Sequence, residues 1–436
     1  MRLTQPIALL LLLGCRDHRA TSKEQRAADA LAHVQEIELT VAKVRGLELQ
    51  HAVPAEYQSA AEFRAYVHRE VSTDPDARNK ATALVALGLL PPSVDLARSV
   101  EDAYATQAAA YYDTKTKKFL VVMVPATELA FDMLSAHELT HGLQDQHFGL
   151  ARYLDGKLDS DARTARRFVV EGDATLAMIM YAVFRKTKLR ELSFAQIAAL
   201  REQLEKMAAL DTTAMAAMLK QQAAVSTIAD PDLKKSIDAM DTIPRTILVP
   251  LLGSYMKGAL VALTAYEHGG WPAVDDLYQH PPESTEQVLH PKERLILSRD
   301  RPHHVRLPTF DGYELVASDV IGELQWSVYF SLWKHEGDGH EEQNWGGDRY
   351  AVLRGKDGKL MTLIATIWDT EYDATVFYDA YLSTLRARYP EGSASSDDEG
   401  ARGLGFDLVR DDHRVYIVDG GDQDVMDVLV DDTTFE

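Results

Sequence analysis

A single cysteine, Cys15, stands in 436 residues, so no disulfide can close within the chain. Basic charge is also short. The chain has 46 lysines and arginines against 67 aspartates and glutamates, a net charge of −21. Binding a phosphate backbone requires a basic face, so nucleic acid is excluded as the main partner. The acidity describes a solvated surface or, functionally, a preference for cationic substrates. No internal repeat is visible, and no segment beyond the N-terminus reads as apolar enough to span a bilayer. The rest is ordinary: 46% of residues are hydrophobic, and the length suffices for two or three domains.

The N-terminus has an export pattern. Arg2 precedes an apolar stretch from Ile7 to Leu13, too short to cross a membrane, followed by Gly14 and Cys15. The ending Leu12-Leu13-Gly14-Cys15 resembles the lipobox of bacterial lipoproteins. That resemblance implies that residues 1–15 are a signal ending at a lipidated Cys15 and that residues 16–23 are a tether. The exported protein would be anchored to a bacterial membrane, the outer membrane foremost, or to the cell surface. The alternative is an ordinary signal peptide or a buried apolar N-terminus.

Periodicity predicts helices over Glu24 to Leu47, from Ser59 through Val71, over Glu128 to Phe148 and over Ala162 to Phe184. Another runs from Ser193 to Leu210, opened by a Ser193–Gln196 capping box with Phe194, Ile197, Leu200, Leu204 and Met207 on one face, and helix continues to about Met240. An apolar helix spans Pro250 to His268, with Pro250 in its first turn and Gly269-Gly270 closing it. Tyr111 to Val124 reads as a β-hairpin turning at residues 113–117. After about Arg299, strands at 350–353, 360–368 and 415–418 and a helix at 371–389 capped by Thr370 indicate a small α/β unit. Ser393 to Glu399 is a polar loop. Asp419-Gly420-Gly421-Asp422-Gln423-Asp424 lacks the full ligand pattern of a calcium loop.

The chemistry lies in His137-Glu138-Leu139-Thr140-His141. Residues four apart share one helix face, so two imidazoles at this spacing can reach one metal ion. Glu138 beside them can hold a carboxylate over metal-activated water and take its proton. The bland alternative is a pair of surface histidines on an amphipathic helix. A catalytic zinc needs a third protein ligand, and Glu171, in Glu171-Gly172-Asp173-Ala174 on the next predicted helix, can supply it. A glutamate between Val170 and the apolar Leu176, Met178 and Ile179 is costly to bury unless a cation meets it. Its alternative is a salt bridge to Arg166 or Arg167. Gly172 would let backbones approach closely.

Together these residues resemble the gluzincin metallopeptidases, in which two histidines of the first helix and a glutamate of the second hold zinc. The run from His137 to His147, Glu171-Gly-Asp-Ala, Tyr112-Asp113, residues 284–291 and Gly346-Gly347-Asp348-Arg349 resemble a poorly characterised bacterial family carrying the same HELTH and LQDQ sequences. Gly142 departs from the alanine expected there, and Ala110-Tyr111 from glycine and phenylalanine. The resemblance implies an α+β fold: a mostly helical zincin-like catalytic domain with a small sheet over residues 24–300, and a smaller C-terminal α/β domain over 301–436. It implies one Zn2+ per chain on His137, His141 and Glu171, with Glu138 as general base in the hydrolysis of a peptide or protein substrate. It further implies that Phe119 to Val124 is an edge strand aligning the substrate, the alternative being a buried central strand.

Supporting roles are open. An oxyanion donor could be Tyr255, which could instead pack in the core, or His290, which could instead cap or pack. Asp145, four residues beyond His141, could orient an imidazole, while Asp173 faces nearly the opposite side. Arg349 could bind a substrate carboxylate, though a pair with Asp348 is the simpler reading. Two other functions fit the same residues: a lipoprotein scaffold or binding module with an idle zinc site, and a zinc hydrolase of a non-protein amide or ester.

Overall fold

The computed structural model describes residues 31–73, 76–107, 109–122, 128–155, 157–209, 242–333, 340–389, 395–396, 400–403, 405–420 and 425–436. The expected signal with Cys15, the expected tether, Met123 and Val124, the expected continuation of helix to Met240 and residues 421–424 lie outside them. The fold is α+β, with helices in the first part and a sheet-rich C-terminal region.

In the first part, α1 (Val34–Arg45) is followed by β1 (Ala55–Tyr57) and α2 (Ala60–Ser72). A capping box closes on α2, in which Ser59 and Glu62 satisfy each other's backbone amides. Two helices that the periodicity did not reveal come next, α3 (Ala77–Ala86) and α4 (Leu96–Gln107). The expected hairpin is β2 (Ala110–Asp113) with β3 (Lys118–Val121). Because β1 pairs in parallel with the other side of β3, the strand order is β1-β3-β2. Over its described residues the expected substrate-aligning strand is therefore the central one, and Phe119 and Val121 are fully buried. The helix expected at 128–148 is α5 (Glu128–Phe148), followed by the short α6 (Leu150–Tyr153), α7 (Ser160–Thr187) and α8 (Phe194–Ala208). The Ser193–Gln196 box is formed, but Phe194 is 88% exposed and leaves the face it was assigned to.

The apolar helix α9 (Arg245–Gln279) begins earlier than expected, so Pro250 falls inside it rather than in its first turn. A proline there leaves the carbonyl four residues back without its helical donor. Here Gln325 Nε2 donates to that carbonyl, Thr246 O, at 3.1 Å. Gly269-Gly270 breaks the helical backbone as expected, and the chain resumes helix through Pro272. By length and composition α9 could cross a membrane, a correction to the sequence reading, yet 67% of its most apolar window is buried within the protein. The short α10 (Thr285–Leu289) follows, with Ser284 accepting the Gln287 amide.

Seven strands form the C-terminal sheet, in the order β5 (Glu314–Asp319), β6 (Trp345–Arg354), β7 (Leu360–Trp368), β11 (Arg414–Asp419), β10 (Phe406–Asp411), β9 (Gly400–Gly403), β8 (Ser395–Ser396). Thus part of the expected polar loop is strand. A two-stranded pair, β4 (Val305–Arg306) with β12 (Thr434–Phe435), adjoins it, and α13 (Met426–Asp432) precedes β12. On one face lie α11 (Gly322–Leu332) and α12 (Glu371–Arg388), the latter capped by Thr370. Their core of Trp326, Tyr329, Trp368, Phe377 and Tyr381 also takes in Ala83 and Leu87 from the α3 region, so the first part of the chain helps fill it.

Asp348 anchors this region. It accepts the amides of Ile321 (2.7 Å) and Gly322 (2.9 Å) and the indole N–H groups of Trp326 (3.0 Å) and Trp345 (2.8 Å). Arg349 is not its partner and instead donates to Ser318 Oγ at 3.2 Å. Burial pushes the Asp348 carboxyl up to about 6 against the pull of these donors, so it is ionised at neutral pH. An asparagine side chain at this position would turn an NH2 toward donors. Asp348→Asn is expected to destabilise the protein by about 3 kcal/mol, read as a lower urea midpoint.

Candidate metal centre

α5 is buried around its whole circumference from Leu134 to Asp145. Such a helix must satisfy its polar side chains internally. His137, Glu138 and His141 are each no more than 1% exposed, so the reading as surface histidines does not hold. Opposite them, α7 brings in Glu171, 2% exposed. His137 Nε2 and His141 Nε2 lie 3.1 Å apart, His137 Nε2 and Glu171 Oε2 3.2 Å, and His141 Nε2 and Glu171 Oε2 3.5 Å. Tetrahedral zinc with bonds of about 2.0–2.1 Å separates its ligands by about 3.3 Å, so these three donors fit the ion.

Electrostatics favour the ligand forms of Glu171 and His137, while His141 is drawn toward its protonated form, whose proton a metal ion would displace. Burial alone would push Glu171 up, but its hydrogen bonds and charge interactions with the two histidines hold it down at about 2. Burial lowers His137 and keeps it neutral. At His141 burial is outweighed by Glu171, and its pKa is raised.

The tautomer of His141 is set by Gln144. The Gln144 amide nitrogen donates to Val170 O (3.0 Å) and Asp173 Oδ2 (2.9 Å), which turns its oxygen toward His141 Nδ1 at 2.8 Å. An amide oxygen only accepts, so Nδ1 carries the proton and Nε2 keeps its lone pair for a metal. Asp173 is held in turn by Arg45 Nε (2.5 Å) and Tyr278 Oη (2.9 Å), and Arg45 also pairs with Asp275 at 2.6 Å. The orienting residue is thus Gln144 backed by Asp173. Asp145 instead accepts from Tyr112 Oη (2.9 Å), Lys117 Nζ (2.5 Å) and the Leu150 amide (3.1 Å). Spacing alone did not reveal Gln144, because its role depends on where α7 lies. Gln144→Leu is expected to weaken zinc binding about 10–100-fold, measured by competition with a chromogenic chelator.

Tyr112 holds Glu138 in place. Its amide donates to Glu138 Oε2 at 2.8 Å while its hydroxyl holds Asp145 on the same helix. A Glu138 oxygen lies within 4.8 Å of a nitrogen on each imidazole. Gly142 is explained here as well, because a Cβ would meet Val53 Cγ2 at 2.7 Å. The close approach allowed by Gly172 is to α9, not α5. A Cβ on Gly172 would lie 2.0 Å from the Gly258 carbonyl oxygen.

Of the two oxyanion candidates, only Tyr255 faces the cluster. Its ring centroid is 5.8 Å from that of His137, and its buried hydroxyl has no hydrogen-bond partner among the described residues. Burial, then the charges of Glu171 and Glu138, push its pKa well above the usual value, so the hydroxyl keeps its proton. His290 bonds Glu323 Oε1 at 2.8 Å and lines a separate cavity with Lys257 and Lys292. A second acidic cluster, Glu286, Asp300 and Asp369, is already served by a cation, the guanidinium of Arg294.

Residues 310–429, most of the sheet region, match a family described as a domain of unknown function (DUF8575). No curated protein and no solved structure matches the chain.

Proposed function

We propose that the protein is a zinc-dependent peptidase, with His137, His141 and Glu171 holding the metal and Glu138 as general base. The observation that carries this reading is the spacing of the three donor atoms, 3.1, 3.2 and 3.5 Å, beside a buried glutamate. Zinc bound there supplies Lewis acidity, lowering the pKa of water and polarising a carbonyl. Glu138, held by the Tyr112 amide, accepts the proton of the attacking water and passes it to the leaving amine. The Tyr255 hydroxyl donates to the oxygen on which charge develops. Gln144 and Asp173 keep His141 in its metal-binding tautomer. The lipobox-like N-terminus supports an exported, lipid-anchored location for this chemistry.

The test is elemental analysis of protein expressed without residues 1–15. About one zinc per chain is expected, lost in both His137→Ala and Glu171→Ala. Failure to take up zinc at neutral pH would overturn the reading and leave a binding protein.

A further inference from the structure

Among the described residues, a cavity of 260 Å3 opens between α3, α4, α7, α9 and the β5–α11 corner. Its walls are largely aliphatic and include Leu84, Leu96, Val100, Ile247 and Leu251. Its charged residues are three cations, Lys80, Arg163 and Arg167, against one carboxylate, Asp319. That carboxylate already accepts the Ser160 amide and hydroxyl and the Val320 amide. A net positive, apolar cavity in a chain of net charge −21 selects a small apolar group that carries a negative charge. Ligand sites commonly measure about 300–1,000 Å3, so this one suits one or two side chains rather than a long molecule.

The cavity is lined in part by α7 and α9, the helices that carry Glu171 and Tyr255. Arg167 lies four residues before Glu171 on α7, and Leu251 four before Tyr255 on α9, about 6 Å along the helix axis in each case. Arg167 Nη1 donates to Tyr104 Oη at 3.5 Å, and Tyr104 also lines the cavity. Burial would lower the Arg167 pKa, but the neighbouring Tyr104, Glu171 and Tyr255 outweigh it and raise it, so the guanidinium lies close to the metal-centre residues Glu171 and Tyr255. An extended peptide spans about 3.3–3.6 Å per residue. A carbonyl at the metal centre would therefore bring the carboxylate one or two residues later to Arg167.

We propose that this cavity binds the C-terminus of the substrate, with an apolar last side chain between α4 and α9 and the terminal carboxylate on Arg167. The inference rests on the peptidase reading and narrows it to removal of one or two C-terminal residues. Water's hydroxyl goes to the acyl carbon, the C–N bond breaks, and the proton goes to the leaving amine. The released fragment carries the apolar residue and its original carboxylate.

The test compares a short peptide ending in leucine with its C-terminal amide and with the same peptide ending in aspartate. Binding is measured by calorimetry on full-length Glu138→Gln protein, where turnover does not interfere. The free acid ending in leucine is expected to bind about 10–100-fold more tightly than the amide, the contribution of a charge-assisted contact. Arg167→Gln should abolish that preference. Val100→Trp, which fills the aliphatic wall without touching the guanidinium, should weaken the leucine peptide more than the aspartate one. Equal binding of acid and amide, or binding indifferent to both substitutions, would overturn the inference. If zinc-loaded wild-type protein cleaves amidated and free peptides alike, the peptidase reading stands and this inference fails. If the acid preference appears without any cleavage, the cavity remains a C-terminus receptor and the peptidase reading fails.

Discussion

Glu138→Gln is expected to lower kcat by about 10²–10⁴-fold while leaving one zinc per chain in place. The substitution is nearly isosteric. Its amide oxygen can still accept the Tyr112 amide that now binds Glu138 Oε2 at 2.8 Å, so the anchoring of α5 to β2 survives. What is lost is a carboxylate able to take a proton. The three metal donors are separate residues whose mutual spacing does not depend on Glu138. The measurements are cleavage of a peptide library, zinc content and the circular dichroism spectrum, on the same preparation. Retained activity would remove Glu138 from the mechanism. Loss of zinc together with activity would make it a structural residue.

Gly172→Ala is expected to cost about 3 kcal/mol of stability, as much as Asp348→Asn. The added Cβ would lie 2.0 Å from the Gly258 carbonyl oxygen and 2.1 Å from its carbonyl carbon. Backbone cannot rotate away as a side chain can, so α7 and α9 have to separate. The adjacent residue on α7 is Glu171, so the separation also shifts a donor and weakens zinc uptake. Gly142→Ala is the contrast, because its obstacle is Val53 Cγ2 at 2.7 Å, a side chain with some freedom, and a smaller loss is expected. Urea midpoints of the two variants check this, and equal midpoints would mean that the α7–α9 contact has slack.

The parts of the site legible in the sequence are those set by local geometry. His137 and His141 share a face because they are four apart on one helix, and the apolar surroundings of Glu171 already required a cationic partner. Residues whose roles depend on a third element were not legible. Gln144 and Asp145 are neighbours, and spacing favoured Asp145, but α7 places Val170 O and Asp173 where only Gln144 reaches them. Asp173 was set aside for facing away from Glu171, and that same direction carries it to Arg45 and Tyr278. The position of β3 was decided by β1, only three residues long and paired from far upstream, too short to give a periodic signal. Pro250 read as a helix start because proline favours that position, whereas Gln325 on a distant helix compensates for it in the interior. β9, Gly-Ala-Arg-Gly, has too few apolar side chains to alternate, so the breadth of the C-terminal sheet was hidden.

The chain through Arg45, Asp173, Gln144 and His141 also bears on the order of assembly. Arg45 and Asp173 are 128 residues apart, and Tyr278, which completes the set, lies 105 residues beyond Asp173. Contacts of such separation form late, after the entropy of closing long loops has been overcome. A chain emerging N-terminus first therefore presents His137, His141 and Gln144 before Glu171 and before Asp173 and Tyr278, which hold Gln144 in place. On the zinc reading, metal capture would be a late event of folding rather than its nucleus, following the meeting of Arg45, Asp173 and Tyr278.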